Sequence, residues 1–301
     1  MGERRGRENE RCDNGGYFMI ALCDIISNEK ITKSAEYNIY SMIINAPLIA
    51  KIAKPGQFIH VKCDGLTLRR PISIAGAENG QIRICYDVRG EGTAWLSGLK
   101  SGEKIDIIGP IGNGFDVSDT SKKVLLAGGG IGIYPLYSVA QRYGANAFAV
   151  LGFRTKNLIT FEKEFIDCGS NLYIATDDGS YGRKGFAIET VKEILDNNKI
   201  DIIMTCGPKI MMKGIALEAQ KRNIRCQVSM EERMACGIGA CLACVCKVKD
   251  KTVGDGVLDT PQTPVGVADA PFQKGAFANK RVCIDGPVFD IFEGSGVDWE
   301  W

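Results

Sequence analysis

Four cysteines near the end of the chain restrict its folding more than any other feature. Cys236, Cys241 and Cys244 follow a C-x4-C-x2-C spacing, and Cys283 stands far downstream. A tight loop has to gather the first three thiols, and a separate segment has to bring the fourth to them. This is the plant-type spacing for a [2Fe-2S] cluster, in which two irons take four thiolates. Gly237, Gly239, Ala240 and Ala243 suit such a loop, because small residues let main-chain N–H groups turn toward sulfur. A structural zinc site is the competing reading, but zinc knuckles usually pair one C-x2-C with another, and no second one is present. Cys246 complicates the choice of fourth ligand, since it and Cys244 point to the same side of an extended strand. Cys283 is preferred because four ligands on one short loop are sterically strained. Cys246 then reads as a small buried hydrophobe.

The chain has 12 cysteines in 301 residues, which argues against a small disulfide scaffold, and five of them crowd into the last quarter. Metal binding in a reducing compartment explains this better than disulfides. The single histidine, His60, excludes a two-His Rieske centre contributed by this chain alone, and beside a β-like run it reads as structural. A net charge of +1 gives no reason to expect nucleic acid or an anionic membrane as partner. No apolar run approaches the roughly 18 residues of a membrane span, and the start lacks the apolar region of a signal peptide. The expectation is a cytoplasmic protein.

Two rhythms divide the remainder. Residues 1–16 are polar and predict a disordered extension. Over 17–120, short runs such as YFMIALCDII, QFIHV, PISIA and KIDII are separated by Pro, Gly and Asn, which predicts an antiparallel barrel. Within it Ile82, Ile84 and Tyr86 share one strand face by period two. Over 121–230, apolar strands alternate with helix-length segments, which predicts a Rossmann-like parallel α/β domain. Pro208 suits the first turn of its last helix, where Met211, Ile215 and Ala219 recur at helical spacing. The cysteine module follows over 231–293, with a tail over 294–301. The expected class is therefore β plus α/β, with a C-terminal [2Fe-2S] module.

Two further motifs carry chemistry. Leu68-Arg-Arg-Pro-Ile-Ser-Ile74 opens a barrel strand, and Glu91-Gly-Thr-Ala-Trp95 opens a short helix. An arginine neutralises a pyrophosphate, a hydroxyl three residues on reaches a flavin ring nitrogen, and the first N–H groups of a helix favour phosphate. Ala127-Gly-Gly-Gly-Ile-Gly-Ile-Tyr-Pro135 joins a strand to a helix, as does Cys206-Gly-Pro208, both at the sheet edge where α/β domains bind ligands. The glycine run is not G-x-G-x-x-G, so it does not decide the case alone.

In this order, RPIS, EGT, AGGGIGIYPL and CGPKIM resemble the ferredoxin-NADP reductase superfamily. The added cysteine module with RVCIDGPVF, together with TDDGSYGRKGF at 176–186, resembles the electron-transfer subunits of type B dihydroorotate dehydrogenases over about residues 17–293. The resemblance implies that Arg70, Pro71, Ile72, Ser73, Cys85, Tyr86, Asp87, Gly92 and Thr93 hold FAD. It implies that Gly128, Gly129, Gly130, Gly132, Cys206, Gly207 and Pro208 face NAD, and that Cys236, Cys241, Cys244 and Cys283 hold the cluster. It further implies an FMN-containing catalytic subunit as partner, in a heterotetramer of two of each. Three features depart from the pattern: the 38 residues between Cys244 and Cys283, the N-terminal extension, and the tail VDWEW. Arg154 and Lys156 follow the second Rossmann strand, where a 2′-phosphate could sit, so NADP stays open. Two rival readings also stay open: the small subunit of a ferredoxin:NADP or sulfide-type oxidoreductase, and a zinc-binding scaffold without redox chemistry.

Overall fold

The structure, a computed structural model, describes residues 10–11, 17–34, 37–249, 277–291 and 296–299. The first strand, β1 (Glu10–Arg11), pairs antiparallel with β2 (Tyr17–Lys30). Of the extension expected over 1–16, two residues therefore join the sheet, and the rest lies outside the described residues. Then come β3 (Ile39–Asn45), helix α1 (Pro47–Ile52), β4 (Phe58–Val61), β5 (Arg70–Glu78), β6 (Gln81–Asp87), helix α2 (Glu91–Gly98) and β7 (Lys104–Ile111). The strand order is β1-β2-β3-β6-β5-β4-β7, and β2 also pairs with β7, so strands β2 to β7 close into a six-stranded antiparallel barrel. Closure leaves no open edge among these strands. Alternation fills the interior: Ile82, Ile84 and Tyr86 from β6 meet Ile59 and Val61 from β4, Ile72 and Ile74 from β5, and Ile105 and Ile107 from β7.

The second layer system begins at β8 (Val124–Gly129), all six residues of which are buried. Burial on both faces is what a central parallel strand requires. Helix α3 (Ile133–Tyr143), β9 (Ala147–Phe153), helix α4 (Glu162–Asp167), β10 (Asn171–Thr176), β11 (Arg183–Lys184), helix α5 (Ala187–Asn197), β12 (Ile202–Cys206), helix α6 (Lys209–Lys221) and β13 (Arg225–Ser229) follow. On α6, Ile215 and Ala219 are buried as the spacing predicts, while Met212 takes the deeper position beside a half-buried Met211.

The cysteine module contributes β14 (Val245–Lys249), β15 (Phe277–Arg281), β16 (Val288–Ile291) and β17 (Gly296–Val297). β15, β14 and β17 form a small antiparallel sheet. β16 instead pairs antiparallel with β13, extending the nucleotide sheet to the order β11-β10-β9-β8-β12-β13-β16. The segment read from sequence as one module over 231–293 thus lends a strand to its neighbour. Residues 250–276, 292–295 and 300–301, in the insertion and the tail, lie outside the described residues.

The three parts are tied by side chains. Arg83 on β6 donates to Ser41 Oγ at 2.8 Å, pairs with Glu164 at 3.2 Å on α4, and lies 4.2 Å over the Phe161 ring. Asn113, after the barrel, donates to the main-chain carbonyls of Ile284 and Asp285 at 3.1 and 3.2 Å. Among the described residues no helix is long and apolar enough to cross a membrane.

Candidate flavin and iron-sulfur site

β5 presents its sequence motif on two faces. Pro71 is exposed and Ser73 half-buried on the outer face, whereas Ile72 turns into the barrel core. Arg70, half-buried at the head of the strand, lays its side chain across Gly92: a Cβ at Gly92 would stand 2.4 Å from Arg70 Nε and 2.8 Å from Cζ. The guanidinium is thereby held at the N-terminus of α2, where main-chain N–H groups and the helix dipole already favour an anion. This cradle, with Pro71 and Ser73 beside it, suits the pyrophosphate and ring of FAD.

The other expected flavin residues are placed differently. The Thr93 hydroxyl accepts from Arg89 N–H at 2.9 Å and Gly90 N–H at 3.3 Å, so it caps the helix start. Tyr86 points into the barrel, donating to Asn28 Oδ1 at 2.8 Å and stacking on Tyr40. Cys85, on the opposite face, packs among apolar residues of the nucleotide domain, and burial pushes its thiol up to about 12. Asp87 pairs with Arg89 at 2.7 Å. Strand alternation commits the side chains of Ile72, Cys85 and Tyr86 to the surrounding cores.

At the nucleotide edge the two glycine motifs meet each other. β8 and β12 are adjacent parallel strands, with Cys206 paired to Gly128. A Cβ at Gly132 would come within 2.3 Å of the Cys206 carbonyl oxygen, and one at Gly207 within 2.9 Å of Gly129 N and O. Gly128 and Gly129 are similarly closed by Ile133, Pro208 and Met211. These glycines serve loop-on-loop packing, and Gly130, with φ of +56° and open space before its Cα, is the one that faces outward. Cys206 is buried, which together with Glu231 pushes its thiol up to about 12. Partial desolvation raises the pKa of Glu231, against the nearby charge of Arg89.

The four motif cysteines form two pairs. Cys241 N–H donates to Cys236 Sγ at 3.3 Å. Burial opposes ionisation of Cys236, but N–H donors from Ile238 and Cys241, the Cys241 thiol and Ala240 N–H outweigh it and lower its pKa. In the second pair, the Cys283 thiol donates to Cys244, which drops to about 6 with help from main-chain N–H groups of Cys283 and Val282. Cys283 is raised, first by donating that proton and then by burial, and Gly239 N–H points at its sulfur. Val282 N–H donates to the Cys244 carbonyl at 2.9 Å, pinning the two segments together. Among the described residues no three His, Cys, Asp or Glu side chains converge as on a single metal ion. Two thiol pairs with inward N–H groups are the donor set that two irons require, so the residues fit a [2Fe-2S] cluster. Cys246 sits opposite Lys280 on β14 within the apolar core, where burial pushes its thiol up to about 12.

Sequence reasoning missed the supports of this loop. Arg281 donates to the Gly239 carbonyl at 2.8 Å, and Asp285 accepts from Arg281 N–H at 2.7 Å. Both flank Cys283 in RVCIDG, which was the available signal. His60, read as structural, is fully buried against Gly237, and burial followed by the charge of Arg69 lowers it to about 4.

Residues 231–257 match the family model for the iron-sulfur cluster binding domain of dihydroorotate dehydrogenase B. The chain is 38% identical over 281 residues to the dihydroorotate dehydrogenase B (NAD(+)) electron transfer subunit of Bacillus cereus (strain G9842), covering 89% of this chain and 96% of that one. The chain belongs to the family of dihydroorotate dehydrogenase B electron transfer subunits. Among solved structures, a chain of the NADH-dependent reduced ferredoxin-NADP oxidoreductase is 31% identical with a TM-score of 0.74, covering 93% of this chain and 91% of that one. Ferredoxin-NADP+ reductase from Plasmodium falciparum, at 12% identity and a TM-score of 0.54 over 71% of this chain and 94% of that one, shares the fold. Within this family the architecture is a flavin-type barrel, a parallel nucleotide domain and an iron-sulfur module, as the sequence predicts.

Proposed function

We propose that this chain passes electrons between an FMN-bearing dihydroorotate-oxidising subunit and NAD+. The observation that carries the reading is the juxtaposition of the cluster loop and the flavin strands: Gly237, one residue past Cys236, rests on His60 of β4, which is paired with Pro71 of β5. Bound FAD supplies the exchange between a hydride couple and the one-electron couple of an iron-sulfur centre. Arg70 and the start of α2 hold its pyrophosphate, and Ser73 offers a hydroxyl to its ring. Gly130 and the Cys206–Pro208 turn admit the nicotinamide dinucleotide at the carboxyl ends of β8 and β12. Cys236, Cys241, Cys244 and Cys283 would hold the cluster, with Cys246 left in the core.

The partner-facing surface is assigned to the outer side of the cluster loop and the adjoining barrel. Leu242, between two ligand cysteines, is 73% exposed, with Ala240 and Ala243 exposed beside it. On the barrel, Leu22 is 66% exposed and stands opposite Asp106, which pairs with Arg69 at 2.8 Å next to exposed Leu68. Exposed aliphatics around a half-buried ion pair suit a protein interface. The reading places a cytoplasmic complex of two chains of each kind.

The test is reconstitution. The chain alone should oxidise NADH with artificial acceptors and leave dihydroorotate untouched, gaining that activity with the catalytic subunit at a mass fitting two of each. Dihydroorotate-dependent NAD+ reduction by the single chain would overturn the reading. Ferredoxin-dependent NADPH turnover with a different large subunit would favour the relationship to the NADH-dependent reduced ferredoxin-NADP oxidoreductase, for which Arg154 and Lys156 are the residues to examine.

A further inference from the structure

Strand β4 is buried on both faces. Ile59 and Val61 point into the barrel core, so alternation turns Phe58 and His60 outward, toward the cluster module. His60 has no exposed surface, and neither ring nitrogen makes a hydrogen bond of normal geometry. The ring is covered by the cluster loop: a Cβ at Gly237 would lie 2.3 Å from Nδ1 and 2.8 Å from Cε1. Only a glycine, here at φ of +70°, lets the main chain come so close. The main chain of Cys236 and that of Arg69 face the imidazole. Arg69 in turn donates to the His60 carbonyl at 3.3 Å and immediately precedes Arg70. A buried polar ring left unpaired carries an uncompensated desolvation cost, whereas an apolar side chain of similar size would fill this space without it. Such a group calls for a reason beyond packing.

We infer that His60 is a positioning residue for the cluster loop, its imidazole seated between the main chain of Arg69 and that of Cys236 so that it sets the loop against the barrel. The inference rests on the reading given under Proposed function. The peptide that joins Cys236 to Gly237 lies against the ring, and the next peptide carries the Ile238 N–H that donates to Cys236 Sγ. Hydrogen bonds to ligand sulfur tune the potential of an iron-sulfur centre. A ring that orients this peptide therefore acts on the cluster without touching its sulfur.

The experiment compares His60→Leu, His60→Gln and Gly237→Ala with the wild-type full chain, purified anaerobically. Iron and FAD content, the EPR spectrum of the reduced cluster and its midpoint potential are measured, with flavin bleaching by NADH as the control for the hydride site. In cluster-loaded His60→Leu the EPR g-values should move and the reduction equilibrium should shift about tenfold, which is about 59 mV for a one-electron couple. Flavin bleaching should be unchanged. His60→Gln, which keeps a donor and an acceptor, should recover most of the shift, and Gly237→Ala should reproduce it by lifting the loop off the ring. A wild-type EPR spectrum and midpoint in any cluster-loaded His60→Leu sample would overturn the inference. So would loss of iron from all three variants, because a positioning role leaves the ligands competent. Absence of both iron and FAD from the wild-type chain would instead defeat the cofactor reading itself.

Discussion

Moving the Arg70 guanidinium without deleting it gives a sharp test of the flavin site. Gly92→Ala places a methyl group 2.4 Å from Nε, and a normal contact is about 3.5 Å, so the guanidinium has to retreat by about 1 Å. A charge-assisted hydrogen bond near 2.8 Å stretched by about that much is no longer a hydrogen bond. The loss should therefore approach that of Arg70→Ala. Hydrogen bonds to charged groups contribute about 1.5–3 kcal/mol, and a half-buried arginine at an open site belongs at the low end, so FAD affinity should fall about tenfold. The fold should not suffer, since Arg70 is a flexible neighbour and Ala is the better helix former by up to about 1 kcal/mol. FAD titration of apoprotein and thermal unfolding measure the two effects separately. In Arg70→Ala, adding Gly92→Ala should cost no further affinity, because the two act through one group. Full FAD affinity in Arg70→Ala, or additive losses in the double variant, would refute the placement of the pyrophosphate at Arg70.

Cys283→Ser should abolish the cluster while Cys246→Ser leaves iron content near wild type, since Cys283 is hydrogen-bonded to Cys244 and Cys246 is enclosed by apolar neighbours. The opposite pattern by metal analysis would move the fourth ligand to Cys246. Gly132→Ala drives a methyl group to 2.3 Å from the Cys206 carbonyl oxygen, so it should weaken NADH binding by about 1–3 kcal/mol with iron and FAD retained; unchanged NADH titration would show that these loops do not hold the dinucleotide. Asp116 is held at about 2 by Ser118 first and then Arg225, below its ordinary 3.8, so its stabilisation is full above about pH 4 and is lost as pH falls toward 2. Asp116→Asn should accordingly lower unfolding stability at neutral pH and flatten its acid dependence between those limits; parallel wild-type and variant curves would contradict this.

Much of the molecule is legible in local sequence. Period-two alternation assigns Ile82, Ile84 and Tyr86 to one face of β6, and these residues fill the barrel. Apolar runs alternating with helical spacing give the parallel sheet, and the cysteine spacing gives the cluster loop, because each depends on residues within a few turns or strand lengths of one another. Tertiary structure alone decided how distant segments meet. It closed the barrel through β2 and β7, sent β16 to the edge of β13, and packed Gly132 against Cys206. It also made His60, a lone histidine in an ordinary-looking strand, the surface on which the cluster loop rests. Period and composition report which face of an element is apolar, but not which other element will cover it. That choice is made by shape and by satisfaction of polar groups between residues far apart in the chain.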